Sequence, residues 1–206
     1  LPLQTHESIR NTIELVKKFH PDRITLLKYA HVPELRKHMK LIKDVELPPA
    51  DELPVMFVDV VQTLLDHGYN WIGLDHFAKS TDDLAIAAEE KTVWRTFNGF
   101  TPGRAHNIVG LGPTTTGAFG RYYGQNVYDF NEYYMAIDAG HFPIFRGYAM
   151  SDDDVIRRDV IFRLLCDQKV DFVQVGKKHG VNGPEYFRKE LERLSTDFKK
   201  DGLVKV

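Results

Sequence analysis

Between Gly68 and Gly124 the sequence gathers polar residues of the kinds that catalysis and ligand recognition use: Asp75, His76, Asn98, Arg104 and His106. A carboxylate beside an imidazole can work as acid and base, an exposed amide can bond the edge of a flat ring, and a guanidinium can hold a carboxylate bidentately. Two short apolar runs, Trp71 to Leu74 and Ile108 to Leu111, are bounded by glycine and deliver polar residues immediately afterwards, as buried strands emptying into a site would. Gly99, Gly103, Gly110, Gly112, Gly117 and Gly120 crowd the second half, where they let backbone approach a ligand closely. The same glycine content suits an ordinary loop. No GxGxxG or Walker spacing accompanies it, so phosphate binding is poorly supported.

The elements that must hold these residues can be read from period and caps. Thr5, followed by Glu7 and Ser8, predicts a helix carrying Ile9, Ile13, Val16 and Phe19 until Pro21 stops it. Ile24 to Leu27 reads as a buried strand whose exit carries Tyr29, Ala30, His31, Val32 and Pro33. The charged run from Glu34 to Glu46 reads as a solvated helix face, with attraction of an acidic partner as the alternative. After Pro48, Pro49 and Asp51 a second helix buries Phe57, Val60, Val61, Leu64 and Leu65 and closes at Gly68. A strand over Asn70 to Leu74 places Asp75 and His76 at its carboxyl end, where a structural role for both is slightly favoured over an acid and base. Ser80 with Asp83 suggests a capping box ahead of a short helix, Leu84 to Ala88. In RTFNGFT, Phe97 and Phe100 flank an amide and a glycine, so a ring could stack on a flat ligand while Asn98 bonds its edge. Asp129 with Glu132 caps a helix running to Ala139 and ended by Gly140. Ser151, with Asp152, Asp153 and Asp154 in the first turn, caps another that buries Ile156, Val160, Leu164 and Leu165. Beyond it lie a helix opened by Pro184 and the segment DGLVKV.

Composition narrows the function. The 206 residues suffice for one ordinary domain, or a small domain joined to part of another. A net charge of −2 gives no bulk attraction to nucleic acid or acidic membranes, and the helix FRKELERLSTDFKK mixes signs. No apolar run approaches the roughly 20 residues of a bilayer span, and no signal peptide is read at the start, so a cytoplasmic location is expected. The single thiol, Cys166, sits in the apolar run IFRLLC, where a buried, inert cysteine is expected, and one thiol cannot hold an iron–sulfur cluster. The acidic triplet at 152–154 is explained by helix-start electrostatics without a metal.

GLDHFA at Gly73 to Ala78, RTFNGFT at Arg95 to Thr101 and GLG at Gly110 to Gly112 resemble the oxygen-independent coproporphyrinogen III oxidases, or dehydrogenases, which are radical S-adenosylmethionine enzymes of heme synthesis. LPLQT, TLLKYAHVP, IRRDVI and KDGLV extend the resemblance from Leu1 to Val206. It implies an α/β fold: closing βα units of a partial radical SAM barrel over 1–127, followed by a mainly helical, winged-helix-like domain over 128–206. It implies oxidative decarboxylation of coproporphyrinogen III propionates to vinyl groups, with S-adenosylmethionine and a [4Fe–4S] cluster as cofactors and a reducing protein as electron donor. The helix that opens the chain lacks a preceding strand, and no CxxxCxxC loop is present. The expectation is therefore of part of a longer enzyme, inactive alone, with no catalytic or metal-binding residue of its own.

By the same resemblance Ala30, Thr116, Phe97 and Asn98 contact the cofactor. Two of these depart from the family pattern, which has Gln where Asn98 stands and an aliphatic residue where Thr116 stands. Arg104, Arg121 and Arg146 are candidates for pairing with substrate propionates. Two other readings compete: a heme-trafficking relative that binds without oxidising, and a segment serving only as an interaction module. The first tends to show YEISNFA-like and NxxYW words where this chain has GLDHFA and FNGFT, which favours the oxidase.

Overall fold

The computed structural model describes residues 1–103 and 107–205 of a mixed α/β chain. Its internal contacts gather into two compact units, Leu1–Gly103 and Arg104–Val206.

In the first unit, α1 (His6–Phe19) starts where Thr5 Oγ1 accepts the Ser8 amide at 3.1 Å while Ser8 Oγ accepts the Thr5 amide at 2.9 Å. This reciprocal cap satisfies two donors that a helix start otherwise leaves unpaired. Ile13 is buried as its spacing predicts, but Phe19 in the last turn is exposed. A short strand follows, β1 (Arg23–Thr25), and then α2 (Glu52–Asp66). The charged run between them forms two brief 3-10 turns, Lys37–Leu41 and Asp44–Glu46, in place of a helix. Ile13, Val60, Val61, Leu64, Tyr69 and Phe77 make the core of the unit. Each large apolar side chain buried there contributes about 1.5–3 kcal/mol.

The expectation that Asp75 and His76 both lie at the carboxyl end of the strand over Asn70 to Leu74 is corrected, because His76 begins a second strand. β2 (Tyr69–Gly73) turns through Leu74 and Asp75 and returns as β3 (His76–Lys79), antiparallel to it. Leu74 takes a left-handed φ of 47°, and the Trp71 indole N–H donates to its carbonyl at 2.8 Å, which closes the turn. Because Phe77 must reach the core, β3 lies between β1 and β2. β1 and β2 therefore run the same way one strand apart, with Thr25 opposite His76 and Trp71 opposite Phe77. Next, α3 (Asp83–Glu89) is capped by Asp82, which accepts the Leu84 amide at 2.7 Å, and not by Ser80. The unit ends in a hairpin, β4 (Trp94–Thr96) and β5 (Gly99–Thr101), joined by Phe97 and Asn98 alone.

In the second unit the predicted strand Ile108 to Leu111 reduces to a single bridge between Ile108 and Ala118. Glycines at 110 and 112 and Pro113 give that run little side chain to pack and one amide fewer to pair. The sheet is antiparallel, in the order β6 (Thr116–Phe119), β7 (Tyr122–Asn126), β8 (Ile144–Ala149). Between β7 and β8 runs α4 (Phe130–Asp138), where Asp129 accepts the amides of Asn131 and Glu132 as its spacing predicts. Strand pairing thus joins residues on either side of position 127. α5 (Asp152–Asp167) carries the Ser151 cap, and α6 (Phe172–His179), α7 (Gly183–Tyr186) and α8 (Arg188–Arg193) follow. Ile156, Val160, Val175 and Phe187 form a second core, but Leu164 is exposed. Residues 203–205 form no strand.

Candidate functional site

The hairpin in the first unit presents Phe97, 80% exposed, with Asn98 exposed beside it. What lies behind them is packed. Gly99 has a φ of 130°, and a Cβ placed on it would come within 2.3 Å of His76 Nε2. Only glycine lets the hairpin sit against that ring in that backbone conformation. His76 Nδ1 lies 2.6 Å from Asp75 Oδ1, its side chain is 12% exposed, and its ring meets Phe100 edge-on at 5.3 Å. The Arg95 guanidinium covers the Phe100 ring at 4.8 Å, and Thr96 Oγ1 donates to the Gly99 carbonyl at 3.1 Å. Asp75 fixes the proton of His76 on Nδ1 and leaves Nε2 facing the glycine. The pair is thereby placed as a brace behind the hairpin.

The same turn holds the segment leaving β1. The Leu26 amide donates to the Asp75 carbonyl at 2.8 Å, and the chain then runs to Ala30, which is exposed. Two buried nitrogens in this unit, His31 Nδ1 and Arg95 Nη1, have no hydrogen-bond partner. Each adjoins an expected cofactor word: His31 follows Ala30, and Arg95 precedes Phe97 by two residues.

In the second unit, strand register brings two of the sequence-predicted residues onto one face. Thr116 is opposite Gln125, and Gln125 is opposite Arg146, so the three form one row across the sheet. Adjacent strands are about 4.8 Å apart, which sets the outer two backbones about 10 Å apart. Arg146 Nε donates to Gln125 Oε1 at 2.8 Å, and Gln125 Nε2 donates to the Thr114 carbonyl at 3.2 Å. Asn126, 6% exposed, donates to the carbonyls of Gly110 and Gly112 at 3.2 and 2.9 Å and to Thr115 Oγ1 at 3.1 Å. It stitches the glycine-rich segment to β7. Arg121, in the turn between β6 and β7, is paired with Asp152 at 2.6 Å. Arg104 and His106 lie outside the described residues.

The sequence reading missed Arg95, Gln125 and Asn126. Arg95 shares strand parity with Phe97, and that could have flagged it. Gln125 and Asn126 matter through register and through carbonyls more than ten residues away, which carry no local signal. The perturbed titrations fall elsewhere: Glu14 and Asp82 in the first unit are held low, and the rest lie among the helices of the second unit and the strand beside them. Hydrogen bonds from Ser151 and Tyr148 hold the Asp154 carboxyl low, and those from Tyr186 and Arg157 do the same for Asp153. These groups cap and join helices. Among the described residues, no group of three or more His, Cys, Asp or Glu side chains could hold a metal ion, and no helix is long and apolar enough to cross a membrane.

No family model matches the chain. Among solved structures its fold matches part of a radical SAM enzyme, with a TM-score of 0.92 and 34% identity over all of this chain and 47% of the other. That structure is the coproporphyrinogen III oxidase of Escherichia coli. Curated relatives named oxygen-independent coproporphyrinogen III oxidase are 37% identical over 204 residues in Helicobacter pylori and 37% over 206 residues in Salmonella typhimurium. These alignments cover 99% and 100% of this chain and 44% and 45% of the relatives. The chain is similar over its whole length to proteins named oxygen-independent coproporphyrinogen III oxidase and spans less than half of theirs, so the resemblance drawn from GLDHFA and RTFNGFT extends from end to end.

Proposed function

We propose that this chain is part of an oxygen-independent coproporphyrinogen III oxidase, a radical S-adenosylmethionine oxidoreductase of heme biosynthesis. The observation that carries this reading is the similarity to named oxidases over the whole chain, with agreement of fold. The substrate is coproporphyrinogen III, whose propionates become vinyl groups in protoporphyrinogen IX, in the cytoplasm and with a reducing protein as electron donor. β1 with α1 belongs to the radical SAM barrel, whose other strands lie in the remainder of the enzyme's length. The stretch 1–127 serves that barrel, while 128–206 is a mainly helical domain that lends β8 to the sheet of β6 and β7 and whose α5, α6 and α7 pack in the winged-helix manner.

Ala30, Phe97 and Asn98 in the first unit, and Thr116 in the second, contact the cofactor. Arg146, Arg121 and Arg104 pair with propionates. The organic cofactor suits what is present, since an exposed ring and amide at a braced tip can stack on a purine and bond its edge. The iron–sulfur cluster does not. Its chemistry needs several thiolates, and the chain's one thiol, Cys166, is buried in α5. The chain is therefore inactive without a cluster-bearing portion.

Anaerobic assay of coproporphyrinogen III decarboxylation, with S-adenosylmethionine and a reductant, tests this directly. Carbon dioxide and protoporphyrinogen IX are expected when the chain is joined to a CxxxCxxC-bearing portion, and neither from the chain alone. Tight stoichiometric heme binding by the joined protein, without decarboxylation, overturns the reading.

A further inference from the structure

The geometry points to a carboxylate-binding face on the sheet of the second unit, in which Arg146 is the grip and Gln125 its positioning residue. This deepens the proposed function and rests on it, because both expected ligands carry carboxylates: the methionyl tail of S-adenosylmethionine and the propionates of the tetrapyrrole.

Arginine has five N–H donors on a planar fork, and it takes a carboxylate either along the Nε edge or along the Nη1–Nη2 edge. Here Gln125 Oε1 occupies Nε at 2.8 Å, and Gln125 is itself tied by its amide to the Thr114 carbonyl. The Nη edge remains, held in one orientation. No described carboxylate lies within ion-pair distance of Arg146, which is exposed on β8. Arg121 shows the contrast, since Asp152 already supplies its acid from inside the unit.

The same face continues one pleat further on. Ala118, Tyr123 and Tyr148 are opposite one another there, and residues two apart along a strand share a face. Tyr148 donates its hydroxyl to Asp154 Oδ2 at 2.8 Å, which fixes its ring beside the arginine row. Charged fork, hydroxyl and aromatic rings thus lie together on an open sheet. They suit a ligand with a flat or apolar body and a carboxylate at one end.

Equilibrium titration of the chain with two pairs of probes tests the inference. S-Adenosylmethionine is compared with decarboxylated S-adenosylmethionine, and coproporphyrin III with its tetramethyl ester. For whichever carboxylate is the natural one, Arg146→Ala should weaken the acid probe about tenfold and leave its carboxylate-less partner unmoved. Arg146→Lys should recover only part, because an ammonium keeps the charge without the fork. Gln125→Ala should cost about threefold, again for the acid probe alone, a pattern that loss of folding could not produce. Arg193→Ala on α8 removes an equal charge elsewhere and should change neither pair. Loss in the first pair identifies the methionyl carboxylate, and loss in the second a propionate. Binding that is measurable but indifferent to Arg146 overturns the inference while leaving the proposed function intact. Absence of binding by all four probes likewise overturns the inference, and the proposed function then stands or falls on the decarboxylation assay of the joined protein.

Discussion

The hairpin tip of the first unit and the sheet face of the second both present polar residues to solvent, but they are held in different ways. Phe97 and Asn98 are fixed from behind by a buried plug of His76, Phe100 and Arg95, so their placement depends on packing. Thr116, Gln125 and Arg146 are fixed sideways by strand pairing and two side-chain bonds, so their placement depends on register. A packed support fails when a methyl group is added or removed. A register survives most single substitutions and loses only the group removed.

The widest separation between the two is expected from Gly99→Ala. The added methyl would stand where His76 Nε2 now lies, in a backbone conformation that L residues avoid, and the first unit should lose about 3 kcal/mol. Both tryptophans, Trp71 and Trp94, belong to that unit, so urea unfolding followed by tryptophan fluorescence isolates the effect. Adding His76→Ala should restore the steric part but not the conformational part. A single variant as stable as the parent would mean that the hairpin is not braced as described.

Asn126→Ala asks whether the second unit holds a plug of its own. Removing an amide that serves two carbonyls and a hydroxyl should cost about 2 kcal/mol and speed hydrogen exchange around 110–115, leaving tryptophan fluorescence unchanged. A smaller effect is expected from Asp159→Asn, about 1 kcal/mol near neutral pH. Burial pushes the Asp159 carboxyl up, but hydrogen bonds from His179 and Lys178 and the charges of Lys178 and Arg163 outweigh it, and the net direction is down. A carboxylate lowered by folding contributes fully above its ordinary pKa of ~4, and the contribution disappears as pH falls through the lower folded value. Thermal melts of the second unit should therefore fall less steeply on acidification in the variant than in the parent. Smallest is Arg121→Ala, about 0.3 kcal/mol, because its ion pair with Asp152 is largely exposed. A loss above about 1 kcal/mol would show that the sheet face depends on that pair more than a surface contact should.

The same contrast explains what could be read from the sequence. The Thr5, Asp129 and Ser151 caps stand where local spacing puts them, since a cap involves three or four consecutive residues. The β2–β3 hairpin escaped notice because its turn uses Leu74 at positive φ, and leucine gives no turn signal. Ile108 to Leu111 looked like a strand because four residues with glycine ends satisfy an apolar-run rule whether or not a partner strand exists. At the candidate sites, resemblance marked the words that carry Ala30, Phe97 and Asn98. It could not reveal that Thr116 and Arg146 share a row, which depends on pairing across thirty residues.

The contact between Gly99 and the imidazole of position 76 constrains the sequences that can use this hairpin. The two sites share one volume, so a homologue with a side chain at the first must have shrunk or swung away the ring at the second. Across many homologues those two columns should change in concert, although more than twenty residues separate them.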